Sequence, residues 1–332
     1  MARGGHDRVI AVQHEASGLR AWIALHHLGY GPAYGGIRVL SYRTENDALH
    51  DALRLSRAMT LKCVLAGVKG GGGKVVVMAQ HLINRVEAMK QLGREVEALG
   101  GVYQTGPDAG FTAADGEALR STTVHTAQFF SGGKLRSGGE ATAEGVMQGV
   151  RAALDFLGTP EMQGITVAIQ GLGSVGMAVA KLCLQAGARV IGADINEEVA
   201  TTAAALGVEI VAPAKILEVP CDVLAPAALG GTIHDLSIAR METRIVAGVA
   251  NNVLGHAQQA ELLRQRGIIF LPDFVLNAGA LIEGSGFLVS GREDWSEELR
   301  GIGTTITEIL RRAQREQSST LAIAETMALE LV

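Results

Sequence analysis

The sequence predicts an α/β protein of two domains. An N-terminal α/β domain spans 1–137, and a C-terminal domain on a doubly wound parallel sheet spans 138–304. A C-terminal helix over about 305–332 is expected to pack back on the first domain. Three observations carry this reading. The chain has 332 residues, and single cores seldom grow past about 250–300 residues. Its second half alternates short apolar runs with helical segments, as a doubly wound sheet requires. A glycine fingerprint follows the first of those runs and opens a helix.

In the first part, residues 19–27 and 36–42 read as strands on either side of the turn-rich stretch 29–36. Thr44 can cap a helix, with Asp47 three residues on as a variant capping box. Ala48, Ala52, Leu55 and Met59 then recur at helical spacing and should face the core. A glycine run, 70–73, ends at Lys74 and the apolar strand 75–78. A helical stretch around 81–98 leads to the turn TGPDAG at 105–110. The polar, glycine-rich segment SGGKLRSGGE at 131–140 marks the domain junction. A helix follows, with Val146, Val150, Ala153, Leu154 and Leu157 on one face and Gly158 and Pro160 as its stop.

The apolar runs at 165–170, 188–193, 208–211, 221–225, 245–249 and 268–271 fit strands buried on both faces. The last segment, 294–332, reads as helix. Hydrophobic residues make up 48% of the chain but aromatics only 4%, so the core rests on Ala, Val, Leu and Ile. The 43 glycines cluster in runs, which marks tight turns and close backbone approach.

A net charge of −5 without a Lys/Arg block argues against a nucleic-acid surface. The sequence has no run of about 18 apolar residues to span a membrane, and residues 1–10 lack the apolar stretch of a signal peptide. Cys63, Cys183 and Cys221 form no CxxC pair and no metal-ligand spacing, so a reduced, cytoplasmic chain is expected. The scattered histidines form no metal set.

The fingerprint is Gly171-Leu172-Gly173-Ser174-Val175-Gly176. Gly171 permits the tight turn, Gly173 lets a pyrophosphate approach the backbone, and Gly176 lets helix and strand pack closely. The helix N-terminus offers free N–H groups to the phosphates. The next strand ends at Asp194, whose carboxylate can accept from both ribose hydroxyls and would repel a 2′-phosphate. A Rossmann domain that binds NAD rather than NADP is the reading.

Lys74 follows four glycines and precedes an apolar strand, which places it at a strand mouth rather than on a solvated face. Partial burial and a second cation nearby would lower its pKa and let it act as a base near neutral pH. Asp108 lies in a tight turn, where an aspartate is usually structural.

The stretches GPAYGGIR (31–38), DALRLSRAMTLKCVLAGVKGGGGK (51–74), TGPDAG (105–110), the Gly171 fingerprint, CDVLAPAALGG (221–231), VAGVANN (246–252) and LPDFVLNAG (271–279) occur in this order over most of the chain. With them the chain resembles the glutamate/leucine/phenylalanine/valine dehydrogenase family, above all its leucine and phenylalanine branch. The resemblance implies reversible NAD-dependent deamination of an L-amino acid to the 2-oxo acid and ammonium. Lys62 would bind the substrate carboxylate, with backbone at Gly35 and Gly36 helping to hold the substrate. Lys74 would activate water and stabilise the carbinolamine oxygen, and Asp108 would shuttle protons to the amino nitrogen. Thr142, Ala250, Asn251 and Asn277 would lie along the nicotinamide end of the cofactor, with Ala225 and Pro226 among the other cofactor-binding positions. The first domain would bind substrate and carry the assembly into a homo-oligomer, a dimer or an octamer.

The pocket positions implied by the resemblance are Tyr34, Gly106, Leu281 and Gly284. Glutamate members carry a lysine where this chain has Tyr34. Without that cation a second buried carboxylate would be costly, so glutamate is disfavoured. Leucine members usually carry an aliphatic residue at that position, so Tyr34 departs from them as well; leucine, valine and isoleucine still come first. Gly106 and Gly284 are smaller than usual and could admit a ring, so phenylalanine or tryptophan is the alternative. Glu140 and Ala280 also depart from the family pattern. Two rivals are a hydroxy acid or malic-type NAD dehydrogenase, which leaves Lys62, Lys74 and Asp108 unexplained, and a catalytically weak NAD-binding relative.

Overall fold

The computed structural model describes residues 5–126 and 137–332. The chain divides into two compact units, Met1–Gln128 and Phe129–Val332. The junction expected at 131–140 lies mostly outside the described residues.

The first unit runs β1 (Arg8–His14), β2 (Leu19–Leu25), β3 (Ala33–Tyr34), β4 (Ile37–Leu40), α1 (Glu45–Leu65), β5 (Gly71–Met78), α2 (Arg85–Glu97), β6 (Tyr103–Gln104) and α3 (Ala113–Arg120). Its sheet has the order β1-β2-β5-β3-β6, with β4 also on β5. β1 and β2 run antiparallel, as do β2 and β5, while β3 and β4 run parallel to β5. The N-terminal edge strand β1 and the helix α3 had no counterpart in the sequence reading. The capping box at Thr44 is present: its hydroxyl accepts from Asp47 N–H at 3.1 Å, and Asp47 Oδ2 accepts from Thr44 N–H at 3.1 Å. Ala48, Ala52 and Leu55 are buried as expected, while Met59 is half-buried.

The glycine run is itself strand. β5 begins at Gly71, four residues before the expected apolar stretch, and every one of its residues is buried. Successive side chains of a strand point to opposite faces. Gly72, Lys74, Val76 and Met78 therefore share one face, where Val76 and Met78 pack with Ala48 and Ala52 of α1. Val75 and Val77 face the main core with Ile23, Leu25, Ile37, Met89 and Leu92. The absence of side chains lets the layers close: a Cβ on Gly72 would stand 2.0 Å from the Ser56 carbonyl oxygen and 2.3 Å from Thr60 N of α1.

The second unit runs α4 (Gly138–Phe156), β7 (Thr166–Gln170), α5 (Ser174–Gln185), β8 (Arg189–Ala193), α6 (Glu197–Ala205), β9 (Glu209–Ile210), β10 (Val223–Pro226), α7 (Asp235–Arg240), β11 (Ile245–Ala247), α8 (Gln258–Gln265), β12 (Ile269–Leu271), α9 (Asp273–Leu276), α10 (Gly279–Ser290), α11 (Ser296–Glu316) and α12 (Thr320–Glu330). All strand pairs are parallel, in the order β12-β11-β10-β7-β8-β9. This is the doubly wound Rossmann order, with the switch point between β7 and β10. One expectation fails at the sheet edge. Both residues of β9 are exposed, because an edge strand lacks the second neighbour that would cover it.

The C-terminal segment also departs from expectation. It is two helices broken at Gln317, which adopts φ 53°, and it falls within the second unit. α11 packs on α4, and α12 on β12. The apolar stripe Leu299, Ile302, Ile306, Ile309 and Leu310 of α11 is buried, and Thr320 donates its hydroxyl proton to the Phe270 carbonyl. Burial of that stripe on α4 is what fixes the segment there.

Two glycine substitutions should separate close packing from mere helix propensity. Gly72→Ala should destabilise by roughly 3 kcal/mol through overpacking. Gly301→Ala, inside α11 with nothing within 4 Å of the added carbon, should stabilise by about 0.5–1 kcal/mol. Thermal unfolding of both variants against the parent checks the order and the signs.

Candidate active site

The centre of the first unit is an ion pair that β5 and the loop after β6 bring together. Lys74 Nζ lies 2.8 Å from Asp108 Oδ2, and the lysine side chain is only 7% exposed. Arg38 Nε donates to the same oxygen at 2.9 Å. Arg38 comes from β4, which pairs with β5 in the register Arg38↔Val76, so its side chain emerges on the face that carries Lys74. The sequence reading assigned no role to Arg38, which supplies a second cation beside Lys74.

Burial, the largest influence, pushes the Lys74 amine below the ordinary lysine range. Asp108 opposes that shift, and Arg38 adds to it. Burial alone would raise the Asp108 carboxyl, but Lys74 and then Arg38 outweigh it and hold the group below the usual carboxylate range. The pair is thus an ionised carboxylate beside an amine that gives up its proton more readily than a solvated lysine. A proton acceptor and a proton carrier then sit within one hydrogen bond of each other.

Glycines build the walls of this site. A Cβ on Gly35 would stand 1.7 Å from the Gly73 carbonyl oxygen, and one on Gly36 would stand 2.9 Å from Asp108 Cβ. Only bare backbone can pass between β5 and the Asp108 turn. Gly106 is buried beside them and its carbonyl accepts from Ile37 N–H at 2.8 Å. Tyr103, fully buried on β6, donates its hydroxyl proton to the Gly35 carbonyl at 3.0 Å. Thr105 in turn donates to Tyr103 Oη at 3.0 Å. The sequence reading missed this brace, since no motif distinguishes such a tyrosine from a core residue.

Tyr34 is buried on β3, and its ring lies against Gly70, where an added Cβ would meet Cε2 at 2.5 Å. Lys62 is half-buried in the last turn of α1, the helix that covers the Lys74 face. Its neighbour Cys63 is fully buried, with its thiol pushed up to about 12 by burial, which suits packing and not nucleophilic chemistry.

The second unit holds the predicted dinucleotide site. Gly171 adopts φ +88°, and an added Cβ would stand 2.7 Å from Ala228 Cβ; one on Gly176 would stand 1.9 Å from the Gly171 carbonyl oxygen. A Cβ on Gly173 would meet nothing within 4 Å. Gly173 is the N-cap of α5 and has no side chain to cap the first turn, so Ser174 and Val175 begin a helix whose N-terminal N–H groups have space before them. Asp194 follows β8. Its Oδ2 accepts from Leu172 N–H at 2.7 Å and its Oδ1 from Asn196 N–H at 2.9 Å. The acid therefore fastens the glycine loop and keeps a lone pair on each oxygen for ribose hydroxyls.

At the far end of the sheet Ala250 N–H donates to the Pro226 carbonyl at 2.8 Å, next to Ala225 on β10. Asn277 Nδ2 donates to the Val249 carbonyl at 3.1 Å and to Asn251 Oδ1 at 2.9 Å. Asn277 Oδ1 is buried without a partner, an acceptor that a carboxamide N–H₂ would satisfy. Thr142 is buried on α4, against the start of α10, where a Cβ on Gly279 would stand 3.1 Å from Thr142 N. Leu281 and Gly284 lie on α10. An open phosphate loop, an oriented ribose acid and an orphan amide acceptor together fit a nicotinamide dinucleotide.

Glu140, a departure from the family pattern, has a local explanation. It closes a capping box on α4, accepting from Ser137 N–H at 3.0 Å while its own N–H donates to Ser137 Oγ at 3.2 Å. The spacing Ser-x-x-Glu was legible in the sequence. Ala280 is likewise accommodated, since a Cβ on Gly138 would meet its methyl at an ordinary 3.8 Å. Among the described residues no group of His, Cys, Asp or Glu could hold a metal ion, and no helix is long and apolar enough to cross a membrane.

Comparison with known proteins gives the same assignment from independent ground. Residues 6–125 match the family model described as Glu/Leu/Phe/Val dehydrogenase, dimerisation domain, and 132–199 and 193–330 match that of Glutamate/Leucine/Phenylalanine/Valine dehydrogenase. Leucine dehydrogenase of Thermoactinomyces intermedius is 36% identical, over 100% of this chain and 92% of that protein. Phenylalanine dehydrogenase of Caldalkalibacillus thermarum is also 36% identical, over 96% and 89%. The crystal structure of L-tryptophan dehydrogenase from Nostoc punctiforme superposes with a TM-score of 0.87 at 30% identity, covering 99% of this chain and 96% of that one. The chain belongs to the glutamate/leucine/phenylalanine/valine dehydrogenase family and is an NAD-dependent amino acid dehydrogenase.

Proposed function

We propose that the enzyme carries out reversible oxidative deamination of an apolar L-amino acid, leucine, valine or isoleucine first, giving the 2-oxo acid and ammonium. The buried Lys74–Asp108 pair at 2.8 Å carries the reading, because imine hydrolysis needs a base for water and a second group to move protons at nitrogen. Lys62 holds the substrate carboxylate, and backbone at Gly35 and Gly36 flanks it. Bound NAD supplies the oxidant that takes the hydride from the substrate α-carbon. Asp108 takes a proton from the amino nitrogen. Lys74, as the neutral amine, takes a proton from the water that adds to the imine carbon, and as the ammonium it stabilises the carbinolamine oxygen. Asp108 then returns its proton to the nitrogen, and the C–N bond breaks to release ammonia as the carbinolamine hydroxyl loses its proton to solvent and becomes the carbonyl.

Gly171, Gly173, Ser174, Val175 and Gly176 hold the pyrophosphate, Asp194 the adenosine ribose, and Thr142, Ala225, Pro226, Ala250, Asn251 and Asn277 the remainder of the cofactor. Tyr34, Gly106, Leu281 and Gly284 shape the side-chain pocket. Tyr34 offers no cation for a distal carboxylate, which would be costly to bury unpaired. An aromatic substrate, phenylalanine or tryptophan, is the second reading. Gly106 and Gly284 favour it, as does the likeness to an L-tryptophan dehydrogenase. The description of residues 6–125 as a dimerisation domain supports a homo-oligomer, a dimer or an octamer, built through a substrate domain over 1–137. The NAD domain then starts at 138, where Ser137 caps α4.

A panel of L-amino acids followed by NADH absorbance should show turnover of leucine, valine and isoleucine, with phenylalanine and tryptophan ranking the second reading. Lys74→Ala should lower kcat by roughly 10²–10⁴-fold with NADH still bound. No turnover of any amino acid by the parent enzyme would leave a weak NAD-binding relative instead. Asp194→Ala should raise the NADH dissociation constant by about 10–100-fold, the worth of hydrogen bonds to a charged group, read by fluorescence quenching.

A further inference from the structure

Arg38 belongs to a chain of buried charges that the reaction as described leaves unused. From Lys74 it runs through Asp108 Oδ2 to Arg38 Nε, then from Arg38 Nη1 to Asp51 Oδ2 at 3.1 Å. Asp51, on α1, also accepts from Tyr42 Oη at 2.8 Å and from Arg54 Nη2 at 2.8 Å. The Arg38, Asp51 and Asp108 side chains are only 14%, 16% and 17% exposed. A buried carboxylate needs a partner charge, yet Lys74 must be the uncharged amine before it can take a proton from water. Arginine keeps its charge throughout, and its donor already sits on the oxygen that Lys74 shares.

We propose that Arg38 is a positioning residue, the permanent counter-ion that holds the Asp108 side chain in place while Lys74 alternates between ammonium and amine and Asp108 takes and returns its proton, and that Asp51 anchors it. The proposal rests on the deamination reading of the same site. It explains why two cations converge on one oxygen: one of them is expendable during the cycle.

The charged and titratable groups that act on the pair are Arg38 from β4, Asp51 from α1, Tyr42 from the loop between β4 and α1, and Tyr103 from β6, with Arg54 of α1 on Asp51. Among them Arg38 lowers the Lys74 pKa and Asp51 raises it, so their removal has opposite signs. Without Arg38 the amine holds its proton to higher pH, and without Asp51 it releases it at lower pH.

The test is the pH dependence of kcat/KM for amino acid oxidation in the parent enzyme, Arg38→Gln, Arg38→Lys and Asp51→Asn. Arg38→Gln should lower kcat about 10–100-fold, leave KM for the amino acid within about threefold because Lys62 still binds the carboxylate, and move the activating ionisation to higher pH. Arg38→Lys should restore that ionisation towards the parent value and recover part of kcat. Asp51→Asn should move it to lower pH. NADH binding should be unchanged in all three. An unmoved pH profile in Arg38→Gln, or shifts of the same sign in Arg38→Gln and Asp51→Asn, would reduce Arg38 to a structural role and overturn the proposal. If Arg38→Gln does not fold, the sign of the Asp51→Asn shift alone decides. Absence of amino acid turnover in the parent enzyme would overturn the deamination reading and this proposal with it.

Discussion

A lysine removed from water needs a counter-charge within hydrogen-bond distance, and the first unit is arranged around supplying one to Lys74. Its partner, Asp108, comes from a turn some thirty residues later and reaches the lysine only because nothing stands between them. The bare backbone of Gly35 and Gly36 passes through that gap, with the Gly73 carbonyl and the Asp108 side chain on either side. On the face of β5 that carries Lys74, Gly72 lets α1 settle directly on the strand, which brings Asp51 to Arg38 and Arg38 to Asp108. A side chain at any of these glycines would push a layer outward, and the lysine would be left either solvated or unpaired. The glycines that weaken a strand in isolation are here what allows a charge to be buried.

The second unit solves the opposite problem with the same residue. There glycines keep space for an anion, and the helix α5 begins with its donors uncapped by any side chain. Asp194 both ties the loop through Leu172 N–H and keeps acceptor capacity for a ribose. A buried amide oxygen without a partner costs about 1–3 kcal/mol, and among the described residues Asn277 Oδ1 has none, which fits the proposal that it accepts from a cofactor.

How much of this was legible in the sequence depends on the range of each interaction. The fingerprint, the acid at the end of the next strand and the Thr44 capping box are local patterns, and each stands where it was read. Lys74 could be placed at a strand mouth from its neighbours, but Asp108 looked like any turn aspartate until the family resemblance supplied its role. Arg38, Asp51 and Tyr103 were invisible as a group because only the fold brings them together, and β4 and α1 are short of any motif that names a partner. The glycine run reads as loop by propensity and is strand because tertiary packing overrides propensity. The C-terminal segment shows the same limit: its helical period was plain, but its packing partner, α4, could not be read from period alone. Glu140 is the contrary case, a local Ser-x-x-Glu box whose signal was present and was taken for a departure.

The claim on which the rest turns is that Lys74 ionises below the ordinary lysine value because burial and Arg38 together outweigh the opposing pull of Asp108. Selective ¹³C labelling of lysine Cε, with the Lys74 resonance assigned by its loss in Lys74→Met, would follow that ionisation directly in the folded enzyme. The account predicts a midpoint below about 10.4, the value of a solvated lysine. A midpoint at or above that value would show that Asp108 outweighs burial and Arg38 together, and Lys74 would then be a fixed cation and not the base.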